Sequence, residues 1–330
     1  MNESRTALVL GGTGHVGHAL LRELCARCYR VRALTRQARP HLLEELDVEV
    51  VRGDADVPGD LQRAIGGVDI VVDAAAPYAL YLPQPGQRAL DPRREAALRT
   101  ARLCAAVERQ NATLVFISSF TTLPRPQGAW STLEVGLRRA MHPYFTAKEA
   151  MERVVLEACE RGLRAVLINP TACLGPWDGK PRSLCYLPLL VSGEVPATTS
   201  HVVNVIDVRD VASGAVAALE AEVFGTPLLF GGHDIRADEL AARACALVGR
   251  RPPLLRTSIR AAATAAYWTE WLFAATGRRA PIPSLPWLLA CEVWATGVGE
   301  AQRALGAWPR PLEDTLRDSL AWYRRLGYLA

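Results

Sequence analysis

Lysine is nearly missing from this 330-residue chain: Lys148 and Lys180 stand against 36 arginines. A cation still written as lysine in that background draws attention, because a compact ammonium and a planar guanidinium are not interchangeable. Long apolar runs are missing too. The best candidate, Ile259 to Thr276, is broken by Arg260 and Glu270 and falls short of a bilayer span, which leaves only monotopic contact open there. No basic-then-apolar leader opens the chain; Ala7–Leu10 is a short strand-like run followed at once by glycine. The eight cysteines lack a metal-ligand pattern. Cys25-x-x-Cys28 is the close pair, with no second pair or histidine at zinc spacing, and it lies late in a helical stretch rather than at a strand-to-helix turn. Free thiols without an export signal lead us to expect a reducing cytoplasm. The arginines are scattered and the net charge is only +4, so a basic stripe for nucleic acid is not expected. No internal repeat or low-complexity tract is present. With half its residues apolar and 22% charged, the chain is a globular protein rather than a disordered one.

The first half alternates short apolar runs with helical patterns. Ala7–Leu10 precedes helical Val16–Cys28; Val31–Leu34 and Val48–Arg52 follow, then helical Leu61–Ile65 and the run Asp69–Ala74. Helical Glu95–Arg109 leads to Leu114–Ser118, and Tyr144–Arg161 leads to Ala165–Ile168. Such alternation predicts an α/β fold, a doubly wound parallel Rossmann sheet whose ligand lies at the strands' C-terminal ends. After Pro170 the alternation fades, and from Ile259 the chain is mainly helical and rich in Trp. The expected organisation is a dinucleotide-binding domain over residues 1–169, with a returning segment 202–231 that brings strands near Val202–Val208 and Pro227–Phe230 back to the sheet. Residues 170–201 and 232–330 form a smaller, mostly helical substrate region.

Gly11-Gly12-Thr13-Gly14-His15-Val16-Gly17 directly follows the first strand and opens a helix. Gly11 permits the tight turn, Gly14 admits a pyrophosphate to the backbone, and Gly17 lets helix and strand pack closely. At the end of the second strand, Thr35-Arg36 stands where an NAD enzyme carries an acid. Arg36 suits a ribose 2′-phosphate, which favours NADP over NAD. Asp54 is placed to meet the adenine edge, and Ala74, Ala75 and Ala76 to pack beneath the ribose.

Tyr144-Phe-Thr-Ala-Lys148 puts a phenol and an ammonium on adjacent turns of one helix face. A free phenol titrates near pH ~10, and a neighbouring ammonium favours the phenolate, which makes it a usable acid or base. Lys148 can also hold the nicotinamide ribose. Ser118-Ser119 ends the strand Leu114–Ile117, where a hydroxyl can donate to a carbonyl oxygen that gains charge. Tyr78, Tyr81, Trp130 and Trp177 lie on loops expected to face the substrate.

The order Gly-rich turn, Gly53-Asp54, Ala-Ala, Ser-Ser, Tyr-x-x-x-Lys resembles the extended short-chain dehydrogenase/reductase family. The likeness is nearest to its dihydroflavonol-reductase-like reductases and hopanoid-associated sugar epimerases. Asn169-Pro170-Thr171, Gly175-Pro176-Trp177-Asp178, Asn204–Ala212 and the closing Ala304–Thr315 and Trp322-Tyr323 extend it over essentially the whole chain. The resemblance implies Ser119 rather than Ser118 as the catalytic hydroxyl, Tyr144 as acid/base, Lys148 as its partner, and Asn169 and Pro170 at the cofactor. Two departures stand out. Where the family carries Asn-Val-x-Gly-Thr, this chain reads Ala96-Ala97-Leu98-Arg99-Thr100, and Asp73 replaces the commoner His.

The leading expectation is an NADP-dependent reductase of a small ketone. Loops rich in Trp and Tyr point to an apolar or aromatic substrate. The runner-up is a nucleotide-sugar epimerase or dehydratase with retained NAD. A third reading, a non-catalytic NADP-binding sensor or scaffold, is opposed by the survival of both Tyr and Lys. The expected partner is a small molecule, with a homodimer through a helix pair left open.

Overall fold

The computed structural model describes residues 5–37, 41–75, 81–82, 91–124, 142–180, 185–195, 197–281, 283–292 and 296–329. Four runs set the architecture: β1 (Thr6–Leu10), β4 (Ile70–Asp73), β5 (Thr113–Ile117) and β6 (Ala165–Pro170) are buried at almost every residue. A strand that is apolar on both sides must be covered on both sides. With β2 (Arg30–Thr35), β3 (Glu49–Arg52) and β10 (Pro227–Phe230) they form one parallel sheet, in the order β10-β6-β5-β4-β1-β2-β3.

The strand period of two sorts the core into two layers. Ala7, Val9, Val72, Val115 and Val166 face α1 (His15–Ala26) and α6 (Val208–Glu220). Leu8, Leu10, Val71, Leu114, Phe116 and Leu167 face α2 (Pro58–Ile65), α3 (Pro92–Arg109) and α4 (Pro143–Glu160). The strand order reverses direction between β1 and β4. The crevice at their C-terminal ends is therefore the place for a ligand.

Of the two strands expected to return, Pro227–Phe230 joins the sheet beside β6, but Val202–Asp207 does not. That strand, β9, lies between β7 (Ala172–Leu174) and β11 (His233–Arg236) in a separate three-stranded sheet. The cause is local. The edge beside β6 is taken by β10, and Gly231-Gly232 then turns the chain away so closely that a Cβ on Gly232 would meet the Val205 carbonyl oxygen at 2.2 Å. A smaller pair joins β8 (Ala197–Thr199) to β12 (Leu255–Thr257).

The remaining helices build two further clusters. α5 (Tyr186–Ser192), α7 (Ala237–Leu247) and α10 (Leu312–Arg325) share Leu187, Leu190, Leu240, Ala244, Leu316 and Leu320. α8 (Ile259–Ala275) and α9 (Leu285–Glu292) pack through Ala263, Leu285, Leu288 and Cys291 against Tyr144 and Phe145 of α4.

Candidate active site

The nucleotide end is set by close backbone approaches. Gly11 has φ +79°, and a Cβ there would lie 2.6 Å from the Ala74 carbonyl oxygen, so the ends of β1 and β4 touch. A Cβ on Gly17 would lie 2.1 Å from the Gly11 carbonyl oxygen, which fixes α1 onto the turn. Gly14 begins α1 without a side-chain cap, and the first turn carries no acid. Its first N–H groups are thus left to an anion, and Gly14 itself is exposed with only the Gly11 oxygen near its Cβ position. The donor set fits a dinucleotide pyrophosphate.

His15 contributes backbone rather than side chain to this turn. Its ring is buried beneath the segment 176–180, and burial lowers its pKa to about 4 despite the opposing charge of Asp178. Trp177 has φ +72°, and its ring lies against His18 at 5.5 Å and under the Arg22 guanidinium at 4.8 Å. The residue thus packs with the α1 layer of the core, not with Tyr144. Arg36, 80% exposed, stands at the end of β2 with Asp54 Oδ2 at 3.9 Å. The Ala74 amide donates to the Leu10 carbonyl, and the Ala75 amide to Asp73 Oδ1. Ala76, Tyr78 and Trp130 lie outside the described residues. Tyr81 sits by α8, with the Arg279 guanidinium 5.7 Å from its ring.

The chemical end is built on α4. His142 caps this helix, its Nδ1 accepting from the Tyr144 amide, and Pro143 occupies the first turn. Tyr144, Lys148 and Glu152 recur every fourth residue, and all three are buried. Lys148 Nζ donates to the carbonyls of Ile117 at 3.0 Å and Ser118 at 3.4 Å, which ties α4 to the end of β5. Burial lowers its pKa to about 8; Asp73 and Glu152 oppose that drop and Arg99 adds to it.

Ser119 caps the short 3-10 turn Phe120–Thr122. Its Oγ accepts from the Thr121 amide at 3.3 Å and the Thr121 hydroxyl at 3.0 Å, which leaves its own proton to donate. Behind that turn, Asn169 Nδ2 donates to the Ser119 carbonyl at 3.0 Å and to Glu152 Oε2 at 2.6 Å. Thr122 Oγ1 donates to the same carboxylate at 2.7 Å.

A model of the NAD dependent epimerase/dehydratase family matches residues 7–227. The chain belongs to that family. It is an NAD(P)-dependent oxidoreductase of the extended short-chain dehydrogenase/reductase kind. It is 28% identical to sterol demethylase protein B of Methylococcus capsulatus over 98% of this chain and 100% of that protein. It is 27% identical to dihydroflavonol 4-reductase of Zea mays, over 73% of this chain and 74% of that one. Among solved structures, gox2253 superposes with TM-score 0.78 at 27% identity, covering 99% of this chain and 100% of that chain.

Within the NAD dependent epimerase/dehydratase family, both departures noted in the sequence meet at one place. Arg99 of α3 forks onto Asp73 with Nη1–Oδ2 at 2.7 Å and Nη2–Oδ1 at 2.9 Å, and its Nε reaches Asp56 at 3.0 Å. Burial pushes Asp73 upward, but the Arg99 charge and hydrogen bonds, with the Ala75 amide, hold it below the usual carboxylate range. Arg99 and Glu152 were not singled out from the sequence. Glu152 had a signal, the four-residue step beyond Lys148. Arg99 had only its place in the altered motif, because its partner lies 26 residues away.

Proposed function

We propose that this chain is an NADPH-dependent reductase of an apolar or aromatic ketone. The observation that carries the reading is the surroundings of Tyr144: it shares a buried helix face with Lys148, and its ring packs among Phe145, Ala263, Leu285 and Leu288. Apolar neighbours on one side of a phenol suit a substrate with little to hydrogen-bond. The similarity to a protein named for sterol demethylation supports the same substrate class.

NADPH, when bound, supplies the hydride that adds to the carbonyl carbon. Tyr144 gives its proton to the carbonyl oxygen, and the free proton of Ser119 orients that oxygen. Lys148, held by two main-chain carbonyls, keeps a positive charge one helical turn from the phenol. Gly11, Thr13, Gly14, His15, Val16 and Gly17 would hold the pyrophosphate through their backbone. Arg36 would meet the 2′-phosphate, and Ala74, Ala75 and Pro170 would line the ribose and nicotinamide side. Asn169 serves indirectly, since its amide braces the Ser119 turn.

Tyr144→Phe should lower turnover of a model aromatic ketone by about two to four orders of magnitude while NADPH still quenches tryptophan fluorescence. An active Tyr144→Phe enzyme would remove the assignment. Arg36→Ala should raise KM for NADPH by about tenfold to a hundredfold and leave NADH unchanged, as expected for loss of a charge-assisted hydrogen bond. If the parent enzyme uses NADH and NADPH equally well, the 2′-phosphate role is wrong.

A further inference from the structure

α8 turns its inner side toward the Tyr144 cluster and presents apolar side chains to water. Ala261, Ala265, Trp268 and Leu272 are all exposed and follow each other at helical steps along one stripe. Trp268 and Leu272 are 57% and 59% exposed, and Trp271 beside them is 50% exposed. The rings form a ladder, Tyr267 on Trp268 at 5.7 Å and Trp268 on Trp271 at 5.8 Å. A contiguous patch of this kind marks an interaction surface rather than ordinary exterior.

The charge around it selects the partner. From the start of α8 to residue 291 the sequence holds three arginines (260, 278 and 279) and a single acid, Glu270. Glu270 is buried, its two oxygens accepting from the amides of Leu82 and Ser284, so it offers nothing outward. Arg260 stands in the first turn of α8, and Arg278 and Arg279 follow its last turn. Arg278 pairs with no carboxylate among the described residues. No helix among the described residues is long and apolar enough to cross a membrane, and cations at both ends favour a helix lying flat.

We propose that this face of α8 docks on an anionic phospholipid bilayer, its Trp and Leu side chains entering the headgroup boundary and its flanking arginines meeting lipid phosphates and carboxylates. Tryptophan is favoured at that depth, and arginine stems can bury while their heads stay at the interface. A second copy of the chain fits poorly, since apposed α8 faces would bring two sets of flanking arginines together, at 260, 278 and 279. Docking places lipid one helix diameter, about 10 Å, from the Tyr144 cluster. Docking through this face requires no ketone-reductase activity.

The test is flotation of the full chain with phosphatidylcholine vesicles, with and without phosphatidylserine, at low and high salt. The expected result is co-flotation with the serine-containing vesicles, weakening as salt screens the charges. Trp268→Gln with Leu272→Gln should abolish it, and Arg278→Gln should weaken it about fivefold, the contribution of one arginine near an anionic surface. Both variants alter exposed side chains, and an unchanged circular dichroism spectrum and melting temperature show that the fold survives. A chain that stays with the lipid-free fraction at low salt overturns the proposal, as does co-flotation indifferent to both variants. A concentration-dependent dimer that Trp268→Gln with Leu272→Gln breaks would also overturn it, by assigning the face to a second copy.

Discussion

Lys148 carries its charge against its surroundings. Burial lowers its pKa from the ordinary 10.5 to about 8, so between those values the unfolded chain binds the proton that the folded chain has released. Stability from this group therefore rises as pH climbs from 8 to 10.5, while any step needing the ammonium weakens over the same rise. The expected outcome is a turnover profile that falls above pH 8 as the thermal midpoint gains, read from parallel assays and melting curves. Lys148→Met should be inactive yet no less stable than the parent at pH 7, because the desolvation cost disappears together with two hydrogen bonds. A large loss of melting temperature in that variant would mean that the two carbonyl contacts outweigh the burial of the charge.

Elements are joined near the site by few but strong polar ties. The Asp73–Arg99 pair fixes the end of β4 to α3, and removing one member leaves a buried charge alone. Arg99→Ala should cost about 3–5 kcal/mol, and adding Asp73→Asn should recover part of it; denaturant midpoints of the three variants check this. Full additivity would mean that the pair is not coupled. The legible part of the site follows the same division. The Gly11–Gly17 turn and the Tyr144–Lys148 face could be read because each lies within a few consecutive residues, and local spacing is what a sequence displays. Arg99 and Asp73 sit on different elements, so neither residue announced the other. β9 misled for a related reason: its apolar run states that it is a buried strand, while the choice of neighbour is settled by β10 and the Gly231-Gly232 bend. The loop of Trp177 is expected to face the substrate, yet the ring lies over α1, with the neighbouring Asp178 anchored by Tyr323 and Lys180.

The two halves of the molecule meet where a segment from the second half packs against the first turns of α1. Residues 176–180 cover His15, whose pKa falls from the ordinary 6.5 to about 4 through burial. A histidine held neutral in the fold stabilises fully above pH 6.5, and that contribution is lost as pH falls from 6.5 to 4. The shift corresponds to a loss on the order of 3 kcal/mol. Melting temperature should therefore drop across this window, and His15→Gln should flatten the drop; an unchanged slope would show that other groups set the acid limit.

Tyr144 owes its surroundings to side chains more than a hundred positions further along the sequence, at 263, 285 and 288. A nascent chain leaving the ribosome can form its glycine turn and most of its sheet while the phenol still faces water. The glycine turn can therefore be complete well before the apolar packing around Tyr144 is.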